Sequence, residues 1–297
     1  MRFSVWPINQ QPYPDLLAVC RHADDTGWDG VWMSDHLLPS SPPLDQPVLE
    51  CWTTMASLLA TLPRVRIGSL VSSNTFRHPA IVAKMAGTLG HISNGRFVLG
   101  IGTGWQVNEH TAYGLDYPSA GERVARLDEA CTVIRLLLGG DPVDFTGRFY
   151  SLSEALVVPR VDVPLCVGVK GARAIEVAAR HADEWNFWAL PETVREKGAV
   201  FSQACERLRR DPASVRRSAQ ALLCVGNEDA VPGIARWRAS GLPMLTGSPA
   251  QITDRLGDYR DAGLDELIIP DFTLGDATEK RDTMDLFITE IANEFRD

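Results

Sequence analysis

Residues 64–105 read RVRIGSLVSSNTFRHPAIVAKMAGTLGHISNGRFVLGIGTGW, with two short apolar runs on either side of an amphipathic segment. The runs 66–71 and 96–101 have the length and composition of buried strands. Between them, Pro79 suits the first position of a helix, and we expect that helix to reach Gly90. A strand, a helix and a second strand in this order predict a parallel βαβ unit.

The same alternation continues in both directions along the chain. Further strands are predicted at 3–6, 29–34, 165–169, 184–188, 219–225 and 266–269. Further helices are predicted at 15–26, 51–62, 119–138, 172–182, 191–210, 251–262 and 278–295. About eight strands, each followed by a helix, favour an α/β fold closed as a (β/α)8 TIM barrel over an open doubly wound sheet.

One segment interrupts this rhythm. Residues 141–163 contain FTGRFYSL, which predicts a short hairpin insertion. No Ser-rich or Gly-rich linker divides the chain, so we expect a single domain over residues 1–297.

The composition excludes several classes of protein. The 297 residues carry a formal net charge of -9, which argues against a general nucleic-acid or anionic-membrane surface. Six scattered cysteines without a CxxC pair indicate neither a disulfide framework nor a zinc site. The N-terminus is a poor signal peptide, and no run reaches the ~18 apolar residues of a membrane span. A cytoplasmic protein is therefore expected.

In such barrels the chemistry lies where strands end at their carboxyl side. His36 follows the second strand and is the best candidate for proton transfer, because an imidazole titrates near neutrality. Asp35 beside it could orient it or bias its charge. A loop histidine satisfied by local hydrogen bonds is an equally open interpretation.

Glycines and cations follow two other strands. Gly102 and Gly104 permit close backbone approach to a ligand, although such a turn is often only structural. Gly168, Lys170, Gly171 and Arg173 lie at the start of a helix, where free N–H groups and the helix dipole favour a phosphate. A tight turn with solvated cations remains the alternative interpretation.

Six of the eight tryptophans divide into two groups. Trp6, Trp105 and Trp188 fall at strand ends and could line a pocket for a flat ring. The others on helices are expected to be packing residues: Trp28, Trp52 and Trp237.

Several chemistries find no motif. No histidine or cysteine pattern indicates a metal site, and neither a GxSxG elbow nor a GxxxxGK[ST] loop is present. A bound organic cofactor is therefore expected to perform the chemistry. The residues alone leave flavin, pyridoxal phosphate and a sugar phosphate open.

At these residues the sequence resembles the luciferase-like monooxygenase superfamily, and more narrowly its coenzyme F420-dependent oxidoreductase branch. The resemblance covers nearly the whole chain. Its segments include GWDGVWMSDHLLP, the 64–105 stretch, YPSAGERVARLDEACTVIRLL, PLCVGVKGARAIEVAARHADEWN and GSPAQITDRLGDYRDAGLDELII.

The resemblance implies a luciferase-like barrel with a flavin or deazaflavin across its C-terminal face. Asp35 and His36 match the motif that lies against the ring, and Leu70–Val71 matches a non-proline cis peptide behind it. Cofactor contacts are expected from Ser73, Gly102, Gly104, Trp105, Gly168, Lys170, Gly171, Ala172 and Arg173.

One position departs from the sugar-phosphate dehydrogenases of this family, in which an acidic residue follows the glycine pair. Trp105 stands there in this chain, which argues against oxidation of a sugar 6-phosphate. Glu109 is acidic but lies further along, and the sequence does not show whether it reaches the pocket.

The leading hypothesis is therefore hydride transfer between F420 and a small organic substrate, with His36 exchanging the proton. The alternative is an FMN-dependent monooxygenase that uses reduced flavin and oxygen. A third hypothesis is a non-catalytic flavin-binding protein. The resemblance also implies a homodimer, whereas the net charge and the lack of a long apolar run predict no nucleic-acid or membrane partner.

Overall fold

The computed structural model describes residues 1–40, 42–231 and 233–296. The strands are β1 (Arg2–Trp6), β2 (Gly30–Met33), β3 (Arg66–Ser69), β4 (Ser72–Ser73), β5 (Phe97–Gly102), β6 (Val143–Thr146), β7 (Ser151–Ala155), β8 (Leu165–Gly168), β9 (Glu184–Trp188), β10 (Arg216–Gln220), β11 (Leu222–Val225), β12 (Met244–Gly247) and β13 (Glu266–Pro270).

The α-helices follow the same order along the chain. They are α1 (Tyr13–Thr26), α2 (Cys51–Thr61), α3 (Pro79–Ile92), α4 (Val107–Ala112), α5 (Ala120–Leu138), α6 (Ala172–His181), α7 (Pro191–Arg207), α8 (Ile234–Ser240), α9 (Pro249–Asp261) and α10 (Ala277–Leu286). No helix within the described residues is long and apolar enough to span a bilayer.

Parallel pairing closes the strands into a barrel. The order around it is β1, β2, β3, β5, β8, β9, β10 and β13, and β13 pairs with β1 to complete the circle. The short β4 extends this sheet by pairing with β5. The predicted (β/α)8 TIM barrel is therefore confirmed, and its carboxyl-terminal strand ends all open to one face.

Two pairs of strands lie outside the barrel. β6 and β7 pair antiparallel, which confirms the predicted hairpin insertion within 141–163. β11 and β12 form a separate parallel pair beyond the end of the barrel.

The predicted strand 219–225 is wrong in its extent, because the chain changes partner within it. The N–H of Ala221 still donates to a barrel carbonyl, that of Ile268, whereas the N–H of Leu222 donates to Pro243. The segment consequently leaves the barrel and carries α8 over its C-terminal mouth. The predicted closing helix also ends earlier, at Leu286, where a π-helical turn follows.

The N-terminal end of the barrel is sealed by buried charge. Arg66, at the start of β3, forms ion pairs with Glu184 and Glu266, which begin β9 and β13. Glu266 also accepts hydrogen bonds from Ser4 Oγ at 2.6 Å and from Trp32 Nε1 at 2.8 Å. Burial raises the pKa of the Glu184 carboxyl. Each carboxylate therefore depends on these internal partners.

Candidate active site

A cavity of about 490 Å³ lies at the C-terminal mouth of the barrel. This volume falls in the usual range for small-molecule sites. The predicted site residues that line it are Asp35, His36, Leu70, Val71, Ser73, Gly102, Gly104, Trp105, Gly168 and Lys170. Gly171, Ala172 and Arg173 continue from this lining into α6 and are exposed.

His36 is held by a carboxylate that the sequence left unassigned. Its Nδ1 lies 3.1 Å from Oε1 of Glu109, a residue on α4 that is only 1% exposed. The other oxygen of Glu109 accepts the N–H of Leu37 at 2.9 Å, so the carboxylate is fixed to the same loop. Since Nδ1 is engaged, Nε2 is the nitrogen of His36 left to exchange a proton.

Asp35 has different partners, and the expectation that it orients His36 is wrong. Its carboxylate receives two hydrogen bonds from Arg77, at 2.7 and 3.1 Å, and one from the N–H of Ser73 at 3.1 Å. Arg77 also reaches Glu50 at 2.7 Å. Burial raises the pKa of the Asp35 carboxyl, although Arg77 and the Ser73 N–H act in the opposite direction. Asp35 therefore ties the end of β2 to the end of β4.

The backbone between β3 and β4 shapes the floor of the cavity. The Leu70–Val71 peptide bond is cis, as the resemblance implies. A Cβ on Gly102 or on Gly168 would come within 2.7 Å of a Val71 methyl group. These two positions must therefore be glycine so that the Val71 side chain fits. The sequence analysis had explained the same glycines only by their approach to a ligand or by a tight turn.

A chain of hydrogen bonds supports Ser73. Its Oγ lies 2.7 Å from Thr75 Oγ1, which lies 2.6 Å from Nε2 of the buried His110. His110 Nδ1 lies 2.6 Å from the carbonyl of Gln106 and must donate to it. With a neutral imidazole, Thr75 donates to His110 and Ser73 donates to Thr75. The Ser73 oxygen is then left as an acceptor for a ligand.

Gly104 permits this chain to pass close to β5. Its φ is +73°, and a Cβ at this position would lie 2.6 Å from Thr75 Oγ1. A left-handed backbone and this short distance both require glycine here.

The start of α6 carries free positive charge beside the cavity. Its N-cap, Gly171, offers no side chain to the first N–H groups of the helix. Lys170 and Arg173 form no ion pair with any residue that the structure describes. Uncapped N–H groups and two cations together favour an anion.

The tryptophans at the strand ends lie where they were predicted. Trp6, Trp105 and Trp188 line the cavity, and Trp105 packs edge-on against His36 with ring centroids 5.5 Å apart. Trp28 and Trp52 are buried packing residues. The expectation of packing is wrong for Trp237, which lines the cavity because α8 lies over the barrel mouth.

The sequence interpretation missed Arg77, Arg236 and Phe272 and left Glu109 open. Arg77 precedes the proline that begins α3, and its position there gave no sign of a buried partner. Arg236 lies on α8, which was not predicted, and Phe272 lies in the turn after β13, a predicted strand after which no site residue was proposed.

Comparisons with known proteins place the fold and the family. The luciferase-like monooxygenase family matches residues 1–232, so the chain belongs to this family. A solved F420-dependent secondary alcohol dehydrogenase, in complex with an F420-acetone adduct, superposes with a TM-score of 0.85. It covers 100% of this chain and 99% of its own at 21% identity, a likeness of fold.

Two relatives are similar in sequence over part of their length. An F420-dependent glucose-6-phosphate dehydrogenase of Microbacterium testaceum is 40% identical over 188 residues, 62% of this chain and 55% of that protein. An F420-dependent hydroxymycolic acid dehydrogenase of Mycobacterium tuberculosis is 29% identical over 241 residues, 80% of this chain and 66% of that protein. The chain thus spans little more than half of the first relative.

Proposed function

We propose that the chain is an F420-dependent oxidoreductase that transfers a hydride between the deazaflavin and a small organic substrate. The observation that carries this proposal is the His36 imidazole in the cavity lining, with Nδ1 held by the buried Glu109. Membership of the luciferase-like family and the F420-dependent relatives support the choice of cofactor.

The residues present fit a flat ring with an anionic tail. The ring would rest against Leu70 and Val71 on the floor of the cavity, with Ser73 Oγ as a polar contact at its edge. The tail would follow Lys170 to the uncapped start of α6. Gly171, Ala172 and Arg173 would meet its phosphate there, outside the enclosed part of the cavity.

F420, when bound, supplies a ring carbon that accepts or returns a hydride, which favours hydride transfer over oxygen activation. His36 supplies the matching proton transfer. In oxidation of an alcohol, Nε2 takes the hydroxyl proton while Glu109 stabilises the resulting imidazolium; in reduction of a carbonyl, the same proton returns. Glu109 is a positioning residue in this account, since it acts through His36.

Asp35 has a structural part in the proposed site. Its contacts with Arg77 and the Ser73 N–H fix the segment that carries Val71 and the Ser73 hydroxyl. Among the residues that the structure describes, its hydrogen-bond partners are Arg77 and the Ser73 N–H, and His36 is not one of them. We therefore assign it to cofactor binding through Ser73, and the proton transfer to His36 alone.

An anaerobic turnover assay tests the proposal. The protein is mixed with oxidised F420 and a panel of alcohols, or with reduced F420 and the matching ketones, and the deazaflavin absorbance is followed. We expect substrate-dependent change without oxygen. Turnover only with FMN, a flavin reductase and oxygen would instead identify an FMN-dependent monooxygenase. Tight cofactor binding with no redox change across the panel would identify a non-catalytic binding protein.

The remaining proposals concern the setting of the enzyme. A cytoplasmic location agrees with six cysteines that are all free and buried. A homodimer and a single domain over residues 1–297 are proposed from the resemblance and from the continuous barrel pattern. Sedimentation of the purified chain and limited proteolysis would test the last two.

A further inference from the structure

The cavity has two chemically different walls. The strands β2, β4, β5 and β8 supply the polar groups assigned above to proton transfer and cofactor binding. The opposite wall comes from β1, β9, the turn after β13, and α8. It presents aromatic rings, which we call the aromatic wall: Trp6, Trp188, Trp237 and Phe272.

The rings of the aromatic wall form a continuous set. Trp6 contacts Trp188 with centroids 5.7 Å apart and Phe272 with centroids 5.2 Å apart. Phe272 stacks on Trp237 at 5.4 Å with an interplanar angle of 22°. Rings held in this way by one another give a firm apolar surface for a flat ligand.

The side-chain amides of Gln220 and Asn186, which lie behind this wall, are paired within the protein. In the amide orientation that satisfies its neighbours, Gln220 accepts from Trp188 Nε1 at 3.3 Å and donates to the carbonyl of Phe187 at 3.1 Å. Asn186 donates to Ser218 Oγ at 2.9 Å. The wall therefore offers a ligand mainly ring surface, since these amides are already paired.

The charged side chains in the cavity lining differ in whether they have partners within the protein. The two buried carboxylates, Asp35 and Glu109, have the internal partners described above. The two cations, Lys170 and Arg236, form no ion pair with any residue described by the structure. In a protein of net charge -9, this leaves the cavity with two free positive groups.

Only one of these cations is explained by the proposed cofactor. Lys170 lies beside the start of α6, where it would face the anionic tail of the proposed cofactor. Arg236 lies beside the aromatic wall, where its guanidinium lies 5.2 Å from the centre of the Trp237 ring. Arg236 is therefore available to an anionic group of the substrate.

We propose that the aromatic wall and Arg236 bind the substrate, and that the substrate is a flat aromatic or conjugated alcohol, or its ketone, carrying a carboxylate. This inference rests on the proposed function. In the oxidation the carbinol C–H bond breaks, its electron pair leaves as hydride to the oxidised deazaflavin, and the hydroxyl proton passes to His36. The products are the ketone, the reduced deazaflavin and a protonated imidazole.

Binding of two matched ketones tests the proposal. The probes are 4-acetylbenzoate and acetophenone, which differ in the carboxylate, and their binding is titrated calorimetrically with and without F420. We expect 4-acetylbenzoate to bind about fivefold more tightly, as for a solvent-accessible ion pair. The preference should disappear in Arg236→Gln. Trp237→Ala should weaken both ketones to a similar degree, because it removes shared ring surface.

Arg238→Gln is the matched control. Arg238 lies on the same helix, is paired with Glu228 at 2.6 Å and Asp229 at 2.9 Å, and is absent from the cavity lining. It should keep the preference for 4-acetylbenzoate. Loss of the preference in both variants would show that it comes from the overall positive potential of α8, and would overturn the assignment to Arg236.

Two further results separate this inference from the proposed function. Equal binding of the two ketones to the unmodified protein, or no binding of either, would overturn the inference even if F420 binds. Titration of F420 into Arg236→Gln should give an unchanged Kd. A weakened Kd would move Arg236 to the cofactor site. Failure of the unmodified protein to bind F420 would contradict the proposed function, while the ketone preference would still report on the aromatic wall.

Discussion

The two ends of the barrel both carry buried charge, but they use it differently. At the N-terminal end, Arg66 is paired with Glu184 and Glu266, and the network closes on itself. At the C-terminal end the carboxylates are paired, whereas Lys170 and Arg236 and a set of aromatic rings face an open cavity. One end thus holds the strands together, and the other retains free binding capacity.

This difference shows where binding should be sought. A buried polar group with all its partners in the protein contributes to structure, while one without partners is available to a ligand. Asp35 illustrates the first case although it lies beside the cavity, because Arg77 and Ser73 occupy its oxygens. The predictions below test whether the two ends can be impaired separately.

The largest effect is expected from His36→Ala at the C-terminal end. Loss of a proton-transfer group should lower kcat by roughly 10²–10⁴-fold. The Kd for F420 and the thermal midpoint should change little, because the His36 side chain is 24% exposed and the Glu109 carboxylate keeps its hydrogen bond from the Leu37 N–H. Steady-state kinetics with the substrate found in the anaerobic screen measure the effect. Turnover equal to that of the unmodified protein would remove His36 from the mechanism.

Arg66→Met impairs the other end. It removes the one cation that pairs with both buried carboxylates among the described residues, which should cost about 3–5 kcal/mol of unfolding free energy. Denaturant titration at neutral pH measures this loss, and F420 should bind the folded fraction normally. Arg216→Met is the control, because Arg216 is exposed and lies 3.9 Å from Glu184. Equal losses in both variants would contradict a sealed network centred on Arg66.

Glu109→Gln tests the positioning of His36. It exchanges a charged hydrogen-bond acceptor for a neutral one, and a charged hydrogen bond is worth about 1.5–3 kcal/mol. We expect kcat to fall roughly 10- to 100-fold, with the Kd for F420 unchanged. Glu109→Asp is too short to keep both contacts and should not restore the rate. An unchanged kcat in Glu109→Gln would show that the contact with His36 has no part in turnover.

Lys170→Gln should have the smallest effect. One exposed cation opposite an anionic tail should change the Kd for F420 by about fivefold, and added salt should reduce this difference. Lys84→Gln provides the control, because the Lys84 ammonium donates to the carbonyl of Val158, outside the cavity lining. A Kd that is unaffected by Lys170→Gln at low salt would place the tail elsewhere.

The fold was largely predictable because the barrel repeats one local pattern. Apolar runs of strand length alternate with segments of helical period. About eight such strand–helix units favour a closed barrel, in which the last strand pairs with the first. The strand 219–225 was predicted too long, and the short elements α4, α8 and β12 were not predicted at all. Their positions depend on contacts across the mouth, such as the shift of Leu222 to Pro243, and these leave no local pattern.

The candidate site was predictable in place but not in its pairings. His36 was identified from its position after a strand, whereas its partner Glu109 comes from a helix 73 residues away. Asp35 is adjacent in sequence, but Arg77 and the Ser73 N–H hold its carboxylate, so adjacency did not pair it with His36. Trp237 was assigned to packing because the sequence could not show that its helix covers the barrel.

The most direct test of the account is a parallel titration of the apo-protein with oxidised F420 and with FMN, followed by fluorescence. The account predicts selective binding of F420, weakened by Lys170→Gln and unaffected by Arg236→Gln. Selective binding of FMN would contradict it, and oxygen uptake with a flavin reductase would then be the assay for a monooxygenase.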